Sequence, residues 1–250
     1  MVGAPATADA VARARCLPNL RVGLHLNLVE GAPVLPASDV PALVGHAGNF
    51  DANLARASLR CFFDPRARRQ LAAEIRAQFV AFEATGLALD HVNTHRHVHV
   101  HPTIAGLILR IGREFGMRAM RVPDEPWRVV RRAAAGESGP WLPPLYAPWI
   151  ALLRLRLARA GLALNDRLFG MAWTGAMTET RLLRLLALLP EGSSEIYCHP
   201  AERQTPRLRG TMPQYRPTEE LAGLLSDRVR ALIAERGIEL VSYADLGAPP

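Results

Sequence analysis

Leu89-Asp90-His91-Val92-Asn93-Thr94-His95-Arg96-His97-Val98-His99-Val100-His101-Pro102 holds five of the eight histidines of a 250-residue chain. Leu87 to His91 reads as a short strand. Pro102 suits the first turn of a helix, where a missing N–H costs nothing. The segment is therefore a strand-to-helix junction. Each of its histidines sits at an odd position, as does Asn93. In an extended backbone they would share one face, with Val92, Thr94, Arg96, Val98 and Val100 on the other. α/β folds place their active sites at the C-terminal ends of strands, and imidazole is the commonest metal ligand near neutral pH. His-rich tracts can bind metal without catalysis, and a single histidine such as His46 reads as a surface or satisfied core residue. Five imidazoles at an apolar junction are too costly to bury without partners. The stretch is read as a metal or catalytic site.

Working outward, Leu20 to Val29 reads as a buried strand, with Val22, Leu24, Leu26 and Leu28 on one face and Gly23, His25 and Asn27 on the other. An Ala-rich helix precedes it over 7–15, and residues 31–50 read as a loop. A helix over 65–85 carries Leu71, Ile75, Phe79 and Phe82 on one face and closes at Gly86. Beyond the junction come a helix over 103–115, a strand over 117–122 and an irregular excursion over 127–150. Helices follow over 146–160 and 178–189, then a strand over 194–198 ending in His199. A helix over 218–236 and a strand over 239–243 complete the chain. Strands alternating with helices of ten or more residues predict an α/β fold with a mostly parallel sheet. A length of 250 residues suits a single domain spanning 1–250.

All 30 basic residues are arginine and the net charge is +7. With abundant Ala, Leu and Pro, that reads first as a GC-rich coding bias. The basic clusters at Arg66, Arg68, Arg69 and at Arg128, Arg131, Arg132 lack interleaved aromatics or a nucleic-acid-binding motif, so no nucleic-acid partner is expected. The positive charge leaves room for a weak contact with a membrane surface, and a homodimer is a further candidate. No stretch approaches the roughly 18 apolar residues of a membrane span, and the N-terminus has no signal-peptide pattern. Cys16, Cys61 and Cys198 are too few and too scattered for a disulfide framework, so the expected compartment is the cytoplasm, with a membrane-peripheral position as the variant.

Gly23-Leu24-His25-Leu26-Asn27-Leu28, then His91-Val92-Asn93-Thr94-His95-Arg96-His97-Val98-His99, then Tyr197-Cys198-His199-Pro200-Ala201 resemble, in order and over nearly the whole chain, the motifs of the YdjC family of carbohydrate deacetylases. Gly31-Ala32-Pro33-Val34, the helix at 66–85 and Arg121-Val122-Pro123 resemble its hopanoid-biosynthesis-associated branch. The resemblance implies an irregular (β/α) barrel and a metal held by one aspartate and two histidines, which by motif position are His25 and His95. His199 stands where the family places a further active-site histidine. His97 and His99, with Asn93 and Arg121, are candidates for substrate contact or ligand support. In other branches an aspartate often stands where Asn93 does, so the resemblance carries no acid–base part to that position.

The implied reaction is hydrolysis of the acetamide of an amino sugar, in the branch an N-acetylglucosaminyl lipid or related glycolipid precursor. A bound ion would lower the pKa of water toward about 7, and His199 is the candidate acid for the leaving amine. The family implies Mg²⁺, whereas two imidazoles with one carboxylate favour Zn²⁺ or a similar ion. Two other readings stand beside it: a metal-dependent phosphoesterase, for which more carboxylates than Asp90 would be expected near the cluster, and a non-catalytic remnant. Family members open with a strand ending in an Ala-Asp-Asp-Phe-Gly-like motif and then a helix. This sequence contains no Asp-Asp pair, so the first strand and helix are expected to be missing, by a late start codon or by truncation. The reading frame upstream of Met1 is predicted to encode two adjacent acidic residues followed by Phe-Gly. A stop codon close to Met1, with no such motif before it, would exclude the late start.

Overall fold

The computed structural model describes residues 1–45, 47–137 and 145–247; His46 lies outside them, as does part of the expected excursion. In chain order the elements are α1 (Thr7–Arg15), β1 (Val22–Leu26), α2 (Leu54–Phe63), α3 (Pro65–Glu83), β2 (Leu89–Thr94), α4 (Pro102–Glu114), α5 (Trp127–Ala133), α6 (Ala147–Arg159), β3 (Arg167–Phe169), α7 (Glu179–Leu186), β4 (Ser194–Ile196), α8 (Pro206–Thr211), α9 (Pro217–Leu225) and α10 (Asp227–Glu235). Two 3₁₀ segments, His95–Val100 and Tyr243–Asp245, complete the set. None of the described helices is long and apolar enough to cross a membrane.

The chain divides into two compact units. The first comprises Met1–Arg121, Pro148–Leu164 and Ser242–Pro250; the second comprises Val122–Ala147 and Asn165–Val241. In the first unit β1 pairs in parallel with β2, His25 facing Asn93 and Leu26 facing Thr94. Single bridges continue the ladder from Val92 to Met120 and from Ala119 to Ala163. Its core joins Leu24 and Leu26 to Leu71, Ile75 and Phe79 of α3 and to Ile104, Ile108 and Ile111 of α4, all buried. In the second unit β3 pairs in parallel with β4, beside a core that includes Phe169, Trp173, Leu182, Leu185 and Val229. The α/β expectation holds. Among the described residues, however, the strands form separate two-stranded sheets and do not close a barrel.

Three departures from the sequence reading have local causes. The helix expected over 218–236 is two helices, because Ser226 is extended and its hydroxyl caps α10 by accepting from Val229 N–H. The strand expected at 239–243 is irregular backbone running into a 3₁₀ turn, closed by a capping box between Ser242 and Asp245. The strand at 117–122 survives only as single bridges at Ala119 and Met120.

The segment after β1 is held by two polar residues in the buried stripe of α3. Glu74 is fully buried and accepts from Val34 N–H and Leu35 N–H at 2.8 and 3.0 Å. Gln78 donates to Glu74 and to Asn27 C=O, and accepts from Asn27 N–H. Glu74→Leu would keep the volume and strand two main-chain donors, each costing about 1–3 kcal/mol when buried. It is expected to lower the unfolding free energy by about 2–5 kcal/mol in urea titration. A loss below about 1 kcal/mol would mean that water satisfies both groups and that Glu74 does not hold the segment.

Candidate active site

The alternation that would place every histidine of the junction on one face ends with β2. Past Thr94 the chain tightens into a 3₁₀ segment in which Arg96 and His97 both take the left-handed conformation, φ 52°. Non-glycine residues adopt it at a cost of order 1–3 kcal/mol. The compensation includes Thr94, whose hydroxyl accepts from His99 N–H at 3.2 Å and donates to His99 Nδ1 at 2.6 Å. The five histidines therefore diverge, and only some of them face one place.

His25 and His95 do come together, with ring centroids 5.8 Å apart and planes at 73°. His25 reaches this point from the β1–β2 pairing, and His95 from the first position beyond β2. The second nitrogen of each ring is engaged. His25 Nδ1 lies 2.5 Å from Asn93 Oδ1, and because an amide oxygen can only accept, the proton is on Nδ1 and the lone pair on Nε2. His95 Nε2 lies 3.3 Å from Glu30 Oε2, which in the neutral ring places the proton on Nε2 and the lone pair on Nδ1. Glu30 itself is left-handed, φ 59°, and its other oxygen pairs with Arg96 at 3.2 Å. Burial above all draws His25 down to about 3; the bond to Asn93 opposes this, and the charges of the N-terminus, His95 and Arg121 add to it. His25 is thereby a neutral imidazole with its Nε2 lone pair open to a ligand.

That geometry fits the imidazole part of the metal set the sequence implied. A bond of about 2.0–2.1 Å to each ligating nitrogen places the centroids of two rings sharing an ion roughly 4.5–5.5 Å apart, so the observed 5.8 Å needs only a small inward shift. An oxygen acceptor on the far nitrogen is the usual support of a metal-bound histidine. Among the described residues no third His, Cys, Asp or Glu converges with the pair, so the carboxylate of the implied set is not supplied by them.

The remaining candidates take different places. His99 is fully buried, receives the Thr94 hydroxyl on Nδ1 and donates from Nε2 to Arg121 C=O at 3.0 Å. With both nitrogens occupied it braces the junction and cannot touch a substrate. His97 is half-buried beside it, with ring centroids 6.2 Å apart. His101 caps α4 by accepting from Thr103 N–H and lies against Phe62. Arg121 is buried in the same unit and its charge bears on His25 and His99. His199 belongs to the second unit. There it is exposed beyond β4, its N–H held by the buried Glu220 at 2.6 Å and its ring beside Tyr197 and Tyr215. Glu30 was missed in the sequence, where it is one acidic residue at the start of a loop. Its signal was the Glu30-Gly31 pair, a turn that needs left-handed backbone.

A family model described as "YdjC-like protein" matches residues 1–235. A carbohydrate deacetylase of Geobacillus stearothermophilus is 28% identical over 247 residues, covering 98% of this chain and 84% of that protein. One of Vibrio vulnificus (strain YJ016) is 29% identical over 249 residues, covering 98% and 83%. A mouse carbohydrate deacetylase is 28% identical, covering 96% and 81%. The fold is similar to a crystal structure of a candidate cellobiose-phosphate cleavage protein from Enterococcus faecalis V583. The TM-score is 0.73 at 24% identity, covering 99% of this chain and 86% of that one.

The buried histidines carry a pH dependence. Burial first of all holds the folded pKa of His99 well below its ordinary value, while in the unfolded chain it titrates near about 6.5. Between those values the unfolded state binds the extra proton. Stability is therefore complete above pH ~6.5 and is lost as pH falls toward the folded value. His99→Gln is expected to make the fall of unfolding free energy between pH 6.5 and 5 shallower by up to about 1.4 kcal/mol per pH unit. Parallel curves for the two proteins would contradict a neutral, buried His99.

Proposed function

The chain belongs to the YdjC-like protein family, and on that premise we propose that it is a metal-dependent carbohydrate N-deacetylase in which His25 and His95 hold the ion. The observation that carries this reading is the convergence of two histidines from separate motifs, each with its second nitrogen engaged by an oxygen acceptor. The names of the relatives, carbohydrate deacetylases, support an acetylated carbohydrate as the substrate class, and the motif resemblance narrows it to an N-acetylated amino sugar. The Arg121-Val122-Pro123 motif favours a glycolipid precursor within it.

A divalent ion bound there would polarise the acetyl carbonyl and acidify a water molecule. The chain's own residues prepare that chemistry. Asn93 and Glu30 fix which nitrogen of His25 and His95 presents a lone pair. Burial above all holds His25 down to about 3, so near neutral pH a cation meets a neutral ligand without having to displace a proton. Arg96 neutralises one oxygen of Glu30 and leaves the other on His95. The two-imidazole set favours Zn²⁺ or a similar transition ion over Mg²⁺. His199 is assigned by its motif as the donor of a proton to the departing amine.

The test is amine release from an N-acetylglucosamine conjugate, run beside hydrolysis of an aryl phosphate. His25→Ala and His95→Ala should each cut kcat/KM on the amide by at least about 100-fold and lower bound metal. His199→Gln should lower kcat with bound metal unchanged, and Arg13→Ala on the exposed face of α1 should do neither. Turnover of the phosphate but not the amide would replace deacetylation with a phosphoesterase reading. Full amide turnover by the His95→Ala protein would remove the proposed site.

A further inference from the structure

The geometry points to Asp90 and His91 as positioning residues: acting through Asn93, they hold His25 in the Nδ1–H tautomer and present its Nε2 lone pair to the bound ligand. Calling that ligand a metal rests on the proposed function. The orientation of His25 rests on four hydrogen bonds alone.

The chain of bonds has one consistent direction. The Asp90 side chain is 5% exposed and its Oδ1 accepts from Ala244 N–H at 3.2 Å. Its Oδ2 lies 2.8 Å from His91 Nδ1. A carboxylate can only accept, so His91 carries a proton on Nδ1, and in the neutral ring its lone pair is on Nε2. That lone pair faces Asn93 Nδ2 at 3.2 Å. The amide must therefore turn its nitrogen to His91 and its oxygen to His25 Nδ1. The reversed amide would set an oxygen against the lone pair of His91, which is repulsive. Without His91 the Asn93 side chain would have no reason to choose, and His25 could exchange its two nitrogens.

The His91 ring is also clamped in place. It stacks on Tyr243 with centroids 4.4 Å apart and planes at 25°. Gly23 also lies against the ring: a Cβ there would stand 2.5 Å from His91 Cε1. The β1–β2 register supplies the space. Val22 faces Leu89 and Leu24 faces Val92, so Gly23 stands against both Asp90 and His91. Such a bulge re-aims a side chain, here at a residue with none of its own. Ring packing and hydrogen bonding make separable demands on His91, and a purely structural role would need only the first.

¹⁵N-histidine NMR of the metal-free protein reads the tautomer of His25 directly, whether or not the protein turns over any substrate. In the native chain His25 should carry its proton on Nδ1. His91→Gln keeps a donor toward Asp90 and an acceptor toward Asn93 while losing the aromatic stack, and should leave His25 as it is. His91→Leu removes both polar groups and should give a mixture of tautomers, with Zn²⁺ affinity by calorimetry falling about 10–100-fold. Asn93→Asp serves as a second probe should the Leu variant fail to fold: its carboxylate still accepts from His25 but cannot donate to His91. His25 should then be unchanged while His91 Nε2 acquires a proton. An unaltered His25 in His91→Leu, a Gln variant as impaired as the Leu variant, or an unresponsive His91 in Asn93→Asp would each overturn the inference. Native tautomer behaviour without any amide turnover would uphold it while rejecting the deacetylase reading.

Discussion

The parallel register of β1 against β2 is the constraint on which the site depends. It sets His25 opposite Asn93 and leaves His95 one residue beyond the end of the ladder. Side chains alternate along a strand, so a slip of one residue would turn His25 toward the core and Leu24 toward the site. Burial resists that slip. Leu24 and Leu26 are almost wholly inaccessible, and roughly 1.5–3 kcal/mol attaches to burying each such side chain. The bulge opposite Gly23 is compatible with this register because its extra residue, in β2, comes before the Leu24–Val92 pair. Hydrophobic burial of β1 sets the register that brings the imidazoles into place.

The second support is polar. Glu74 and Gln78 lie one helical turn apart on α3 and saturate main-chain groups of the segment that leads from β1 to Glu30 and on to Leu35. Buried polar groups of this kind specify one arrangement, since each rival arrangement leaves a donor unpaired. Glu30 is thereby delivered, in a left-handed backbone, to His95 and Arg96. Both sides of this ion-paired contact are left-handed: Glu30 on one loop, Arg96 and His97 on the other. Strain of that sort persists where surrounding contacts over-determine it, and such places are commonly functional.

How much of this was legible follows from the range of each interaction. The apolar spacing of Leu71, Ile75, Phe79 and Phe82, the Pro102 helix start and the apolar face of β1 are local patterns, and each appears in the structure near its expected bounds. His25 and His95 were visible by motif, but not their separation, which needs the register between strands 68 residues apart in sequence. The expected row of aligned histidines failed at Arg96 and His97, because nothing in two non-glycine residues announces left-handed backbone. The sequence left His99 open between substrate contact and ligand support, and the Thr94 hydroxyl and Arg121 carbonyl that occupy its nitrogens favour the supporting part. The bulge opposite Gly23 was equally hidden, although the glycine itself was in view.

The account stands on His25 and His95 binding one ion together. X-ray absorption at the zinc edge counts the imidazoles around that ion directly. The protein loaded with one equivalent of Zn²⁺ should give two imidazole ligands, and His25→Ala and His95→Ala should each give one. A native protein with fewer than two, or a count that neither substitution changes, would contradict the shared site.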